Sequence, residues 1–352
     1  MIQFPKQLLL HTLHATGILR LLLDRQRNKV TILMLHGVTD PNAPAAWKPL
    51  RQQLTPAQLT QTLTVLAPYY QFVSLSEATE MLSGVRPLIP NSLVLTFDDG
   101  YRNNLIFALP VLRKFKAPAT IFLSTSNVTE QKPFWFDRLD YAVQSIGNND
   151  EFHNNIPELA ELDFSTRENL TRSFITFIRG EKQRFQTDIT MRSAMTDLTE
   201  RLEQHSGRGL ADVFASDPWS GILTWDEVKQ SASDVHFGSH TVNHAQLALI
   251  PLHTVRQELV ASREAIEFHT GYPCTHLAYP NGSFNNDVIT LTKTCNYSSA
   301  LTTIPGLNRP GDNLMKLQRL TFPYHKTSAG ILAEVAKVHA FSKEKFWKKH
   351  AI

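Results

Sequence analysis

The chain has 352 residues, 42% hydrophobic and 19% charged, a composition that supplies a core and excludes disordered and collagen-like classes. Lys and Arg total 35 against 32 Asp and Glu, a net +3 too balanced for a nucleic-acid surface. Two cysteines, Cys274 and Cys295, make no disulfide framework and read as small buried apolar residues.

The length fits two domains or one large α/β barrel with insertions. At the N-terminus, Leu8-Leu9-Leu10 is broken by His11, Thr12 and His14, with no small-residue cleavage site, which argues against a signal peptide. No apolar run is long enough to span a bilayer. Ile18 to Leu23 leads into Arg25, Arg27 and Lys29. That pattern predicts a helix either packed on the domain or resting on an anionic membrane surface. Lys343 to Lys349 is a weaker instance. The expectation is a cytoplasmic protein, peripheral at the inner face of the membrane if it touches one.

Apolar runs then alternate with amphipathic stretches. Val30–Leu35 reads as a buried strand ending at His36, Leu93–Phe97 as one stopped by Asp98-Asp99-Gly100, and Ala119–Leu123 as a third. Val235–Gly238 runs into Ser239-His240, and His276–Tyr279 into Pro280-Asn281-Gly282; Ser298–Leu301 and Lys316–Leu320 look like the last two. Helical patterns lie between them: one capped by Thr55, one from Asn103 to Phe115, one from Pro251 to His269 closed by Gly271, and one over Ile331–Val338. This alternation predicts a mainly parallel α/β sheet. The stretch from about 135 to 220 breaks the rhythm and reads as a helical insertion forming a lid or wall. The expected division is an N-terminal helical segment 1–29, a catalytic domain 30–325 carrying the insertion, and a C-terminal helical segment 326–352.

Polar residues gather at the C-terminal ends of the predicted strands: His36, Asp98, Asp99, His240 and Asn281. In α/β barrels that rim carries the active site. Adjacent carboxylates at a strand end repel unless a cation or an assigned proton resolves them, although Asp-Asp-Gly also makes ordinary solvated turns. His240 and His244 are four apart. They are either unrelated surface groups or, with one Asp, three ligands that leave a metal open to water or substrate. A spare carboxylate beside such a metal suits water activation.

Thr96-Phe97-Asp98-Asp99-Gly100 and Ser239-His240-Thr241-Val242-Asn243-His244 resemble the first two motifs of the polysaccharide deacetylases with a NodB homology domain, carbohydrate esterase family four. The resemblance covers about Val30 to Leu320. It implies a distorted (β/α) barrel of about seven strands, Asp98 as general base, and Asp99, His240 and His244 as ligands of a divalent metal. Zinc is the usual ion, with cobalt, nickel or iron as substitutes. In the segment Ala278-Tyr279-Pro280-Asn281-Gly282, which resembles the third motif, Ala278 stands where the family has an Arg that holds the base. Tyr-Pro-x-Gly is shared with the branch acting on poly-N-acetylglucosamine. Tyr279, Pro280, Asn281 and Gly282 are therefore the implied substrate and oxyanion segment, with the Asn281 N–H helping to hold the oxyanion. Met34-Leu35-His36-Gly37-Val38 resembles a segment of that branch, which makes His36 the implied general acid and His325 the alternative.

The implied reaction is metal-assisted removal of an N-acetyl group from an amino sugar, releasing acetate. The expected partner is an N-acetylated glycan, or a lipid-linked or nucleotide sugar. Phe134-Trp135-Phe136 offers either sugar stacking or core packing. Two alternatives remain at this stage: an inert sugar-binding relic, and a non-haem iron oxygenase built on two His and one carboxylate.

Overall fold

Seven parallel strands close into a barrel. In the computed structural model, which describes residues 3–45, 47–147, 156–324 and 327–337, these are β1 (Thr31–Leu35), β3 (Ser92–Phe97), β4 (Ala119–Leu123), β5 (His236–Ser239), β6 (His276–Ala278), β7 (Ser299–Pro305) and β8 (Leu317–Thr321). The barrel closes where β1 pairs with both β3 and β8. A two-residue strand, β2 (Gln71–Phe72), adds to the start of β3. The expected barrel of about seven strands is thus present, with one extra strand.

Alternation along each strand sorts side chains inward and outward. Ile32, Val94, Phe122, Ala278, Leu301 and Leu317 belong to one apolar cluster, whereas Leu33, Leu95, Ile121 and Leu277 join the larger cluster under the helices. The same parity, four residues on from Ile32 and Val94 and two on from Gly238 and Leu317, turns His36, Asp98 and His240 toward the inside of the barrel mouth, and Arg319 toward its interior. The strand ends therefore deliver four functional groups to one place.

The surrounding helices are α1 (Gln3–Ala15), α2 (Ile18–Asp24), α3 (Pro56–Leu66), α4 (Leu75–Ser83), α5 (Leu109–Phe115) and α6 (Thr125–Glu130) in the first half. A π-helical turn, Asn104–Ala108, leads into α5. Thr55 and Ser74 close capping boxes with Gln58 and Glu77, which fixes the starts of α3 and α4. The predicted insertion is built by α7 (Trp135–Ile146), α8 (Arg167–Arg184) and α9 (Asp188–Ser206). Leu139, Val143, Phe174, Ile178, Met195 and Leu202 give it a hydrophobic cluster separate from that of the barrel. After it come α10 (Trp225–Ser231), α11 (Leu252–Thr270), α12 (Asn286–Thr294) and α13 (Ser328–Val335), against which α1 and α2 pack. Among the described residues no helix is long and apolar enough to cross a membrane. His325, the end of the predicted helix at Val338, and Lys343–Lys349 lie outside the described residues.

Candidate active site

Asp98 and Asp99 follow β3 directly, and the turn they enter is tight: Asp99 has φ 77 and Gly100 φ 80. Thr241 (φ 68), His244 (φ 54) and Asn281 (φ 54) also hold left-handed backbone. Such conformations cost about 1–3 kcal/mol each in side-chain-bearing residues and concentrate at functional sites. The loop after β5 is secured by a group that sequence reasoning missed, Glu258 of α11. One of its carboxylate oxygens accepts from the Val242 and Asn243 N–H groups at 2.8 and 2.9 Å, and the other from the Asn243 amide at 2.7 Å. Its signal was an acid at a buried position of an amphipathic helix, beside Val255, Leu259 and Ser262.

Asp99, His240 and His244 are buried and converge. Their ligand-type atoms lie within 4.8 Å of one another. One oxygen of Asp99 is 3.4 Å from His244 Nε2 and 3.6 Å from His240 Nε2. Zinc–nitrogen bonds run to about 2.0–2.1 Å, so tetrahedral ligands would stand close to those separations. The Nδ1 of His240 lies 2.7 Å from the Ala278 carbonyl, the kind of outer contact that fixes a ligating tautomer with Nε2 free. These residues fit a divalent cation. Burial pushes the Asp99 carboxyl up, but His244, His36 and His240 beside it outweigh this and hold it well below the usual carboxylate range. Burial also lowers His244 to about 4, leaving neutral imidazole at neutral pH.

Asp98 is held by Arg319 of β8. Two parallel bonds run from the guanidinium to the carboxylate at 2.7 and 2.8 Å, and the Nε donates to the Thr302 carbonyl at 2.9 Å. The pair is fully buried. Burial alone would raise the Asp98 carboxyl; Arg319, followed by His240 and His36, brings it below its ordinary value. The arginine absent at Ala278 is therefore supplied from another strand. The polar residue at an inward position of Leu317-Gln318-Arg319-Leu320 was the sequence signal for it.

His36 is half-buried at the end of β1, and burial depresses its pKa against the pull of Asp99 and Asp98. Arg51 approaches the second Asp99 oxygen at 3.9 Å and pairs with Asp137 at 2.8 Å, while Tyr101 donates to Asp137 at 2.7 Å. Phe134 is buried and packs edge-on to His244 with centroids 5.4 Å apart, and Phe136 stacks on Phe134. Trp135 instead lines a cavity of about 200 Å³ with Arg192 and Asn243. Of the third-motif segment, Tyr279 puts its ring in the core and donates to the Met315 carbonyl at 3.2 Å. Pro280 is buried, Gly282 holds φ 64 against Thr303, and Asn281 accepts a hydrogen bond from Lys182 of α8.

The polysaccharide deacetylase family profile matches residues 86–300. Curated protein sequences give no match. Among solved structures, the Streptococcus pyogenes deacetylase PplD in complex with acetate is 18% identical, with TM-score 0.55 over 87% of this chain and 98% of that one. IcaB from Ammonifex degensii is 16% identical, with TM-score 0.54 over 88% and 97%. The Bacillus cereus polysaccharide deacetylase BC0361 is 20% identical, with TM-score 0.53 over 87% and 69%. At these identities the structures establish the fold, and the profile match establishes the family.

Proposed function

The chain belongs to the polysaccharide deacetylase family, and from that premise we propose that it hydrolyses the N-acetyl amide of an amino sugar in a glycan or glycan precursor, using a divalent cation, zinc first, held by Asp99, His240 and His244. The observation that carries this reading is the convergence of both imidazole Nε2 atoms on one Asp99 oxygen beside a clamped second carboxylate. When bound, the cation polarises the acetyl carbonyl and makes water more acidic.

The remaining work falls to the chain's own groups. Asp98, ionised and oriented by Arg319, takes a proton from the attacking water. The Asn281 N–H helps to hold the charge that develops on the carbonyl oxygen. The hydroxyl adds to the carbonyl carbon, the C–N bond breaks, and His36, entering the step protonated, delivers that proton to the departing amine while Asp98 returns the proton it took to solvent. Acetate and a free amino sugar leave. The parallel barrel, and an Asp98–Arg319 pair that metal binding alone does not require, favour this over an oxygenase. Retention of base and ligands together favours it over a relic.

We propose in addition that the N-terminal helices rest on an anionic membrane surface. Leu8, Leu9, Ile18 and Leu21 are exposed, with Arg20, Arg25 and Arg27 exposed among them. Apolar and basic groups presented together suit that surface.

The test is mass spectrometry of N-acetylated glycans and glycan precursors after incubation with metal-loaded protein, expecting loss of one acetyl group and release of acetate. His240→Ala and His244→Ala should lose both metal and turnover, whereas Asp98→Asn should keep the metal and lose turnover. Stoichiometric metal in a variant lacking both histidines would overturn the ligand assignment. His36→Ala should lower turnover about 10²–10⁴-fold, the range for a general acid, with metal retained and a smaller loss on an activated acetyl ester. An equal loss on ester and amide would move the role to His325.

A further inference from the structure

Resting on that reading of the site, we infer that the helical insertion adds an anion subsite to the barrel mouth, formed by Arg179 and Lys182 of α8 with Arg192 of α9, and that the preferred substrate carries a phosphate or pyrophosphate on or beside the sugar that loses its acetyl group.

Three observations meet here. Lys182 reaches the barrel rim: its Nζ donates to the Asn281 side chain at 2.6 Å and lies 5.9 Å from the Trp135 ring centre. It thus stands beside the loop proposed to hold the oxyanion. Arg179 precedes it by three residues on the same helix, a spacing that places both on one face. The Nη2 of Arg179 is buried without a hydrogen-bond partner. Arg192 joins the insertion to the site loop, donating to the His244 carbonyl at 2.5 Å while its Nε pairs with Asp188 at 2.6 Å.

The charges do not balance. Among the described residues Asp188 neutralises Arg192, but neither Arg179 nor Lys182 has an ion-pair partner. Burial draws the Lys182 ammonium down to about 8; Asp99 and Asp188 oppose this, while Arg192 and Arg179 add to it. The Asp99 carboxylate lies against the two imidazole Nε2 atoms, at 3.4 and 3.6 Å. Burial lowers Arg179 as well, with no carboxylate offsetting it. Gathering three partly buried cations in one place costs free energy that an anion would return. A guanidinium fork and a lysine ammonium are the groups that recognise phosphate oxygens. A neutral glycan would bring neither cation an opposite charge.

The experiment compares kcat/KM of the metal-loaded full chain on a neutral N-acetylglucosamine oligomer, on the same oligomer with a 1-phosphate, and on uridine-diphosphate-linked and lipid-pyrophosphate-linked sugars. The phosphorylated substrates should be preferred about tenfold or more. Lys182→Gln and Arg179→Gln should each cut that preference about five- to tenfold, the worth of a charge-assisted contact. Lys182→Arg and Arg179→Lys should keep most of it, which separates charge from packing. A preference for all phosphorylated forms means that the phosphate is read without its carrier; a preference for one carrier identifies the source. Equal kcat/KM on neutral and phosphorylated oligomers, or a preference that survives both Gln variants, would overturn the subsite. Binding of the phosphorylated oligomer to the Asp98→Asn variant decides the matter independently. If that binding depends on Lys182 and Arg179 while no substrate releases acetate, the subsite stands and the deacetylase reading fails.

Discussion

A single arginine shows how a carboxylate can be clamped at a strand end while the sequence pattern around it changes. The strand-end motif read from Asp98 and Asp99 needs a cation to aim the proposed base, and Ala278 cannot provide one. Arg319 does so from β8, with both fork nitrogens on the carboxylate. Arg319→Gln should therefore lower kcat about 10²-fold, the cost of a catalytic group displaced by about 1 Å, with metal content retained. Arg319→Lys should restore only part, because an ammonium cannot make two parallel bonds. In an Asp98→Asn background the Arg319 change should cost almost nothing further in turnover; an additive loss would show that Arg319 acts elsewhere. Asp98, His240 and His244 were legible because they are contiguous with strands and motifs. Arg319 and Glu258 were not, because each signals only as a polar residue at a core position. His276 makes a different prediction. Buried between the Ser76 and Ser299 hydroxyls at 3.0 and 2.9 Å, its imidazole is lowered by burial, then by His236, to about 4. The unfolded chain, with an ordinary His near 6.5, binds this proton first as pH falls. Stability should therefore rise with pH between about 4 and 6.5, and His276→Gln should remove part of that rise in urea midpoints taken across the window, the share of His244 remaining.

At the level of elements, strands set by apolar runs were readable to within a residue or two at their starts. The two-residue β2 was not, since no period can be seen in two positions. The insertion read as helical, but the packing of α7 against α9 and its own hydrophobic cluster are tertiary facts. Lys182 escaped notice for the same reason: nothing in sequence links residue 182 to residue 281. Gly238 carries an element-scale prediction. It sits at an inward position of β5, where an added Cβ would lie 2.5 Å from a Phe122 ring atom and 3.0 Å from the His276 carbonyl. Gly238→Ala should therefore destabilise the fold by about 1–3 kcal/mol through overpacking. Phe122→Leu in the same chain should recover part of that loss, since it removes the ring atoms while the carbonyl contact remains. Denaturant unfolding of the two single variants and the double variant measures the coupling. Independent, additive losses would show that the ring is not what excludes the Cβ.

Across the whole molecule, the proposed ligands tie together parts far apart in sequence. Asp99 stands in the turn after β3, His240 and His244 in the loop after β5, with β4 between these strands. The insertion enters the chain between β4 and β5 and returns over the same loop through Arg192. A bound cation would brace the catalytic rim across three strands, so removing it should cost stability as well as turnover. A ligand present at about 100 times its Kd stabilises the folded state by about 2.7 kcal/mol. In a chain of this size each kcal/mol moves Tm by about 2–4 °C or less. Chelation should thus lower Tm by several degrees, and zinc should restore it. Asp98→Asn should show the same metal-dependent shift, because that carboxylate is assigned to the base and not to the ion. His240→Ala should show none, its Tm being alike with zinc and with chelator. A full zinc shift in His240→Ala, or its absence in Asp98→Asn, would reassign the two carboxylates and the imidazoles among base and ligands. The N-terminal helices lie outside this braced rim, packed on α13. Exchanging Leu8 and Leu21 for Gln should therefore abolish flotation of the chain with anionic vesicles while leaving the zinc-dependent Tm shift intact. If flotation and the zinc shift were lost together, the apolar positions would be supporting the fold, and the membrane contact would have no independent basis.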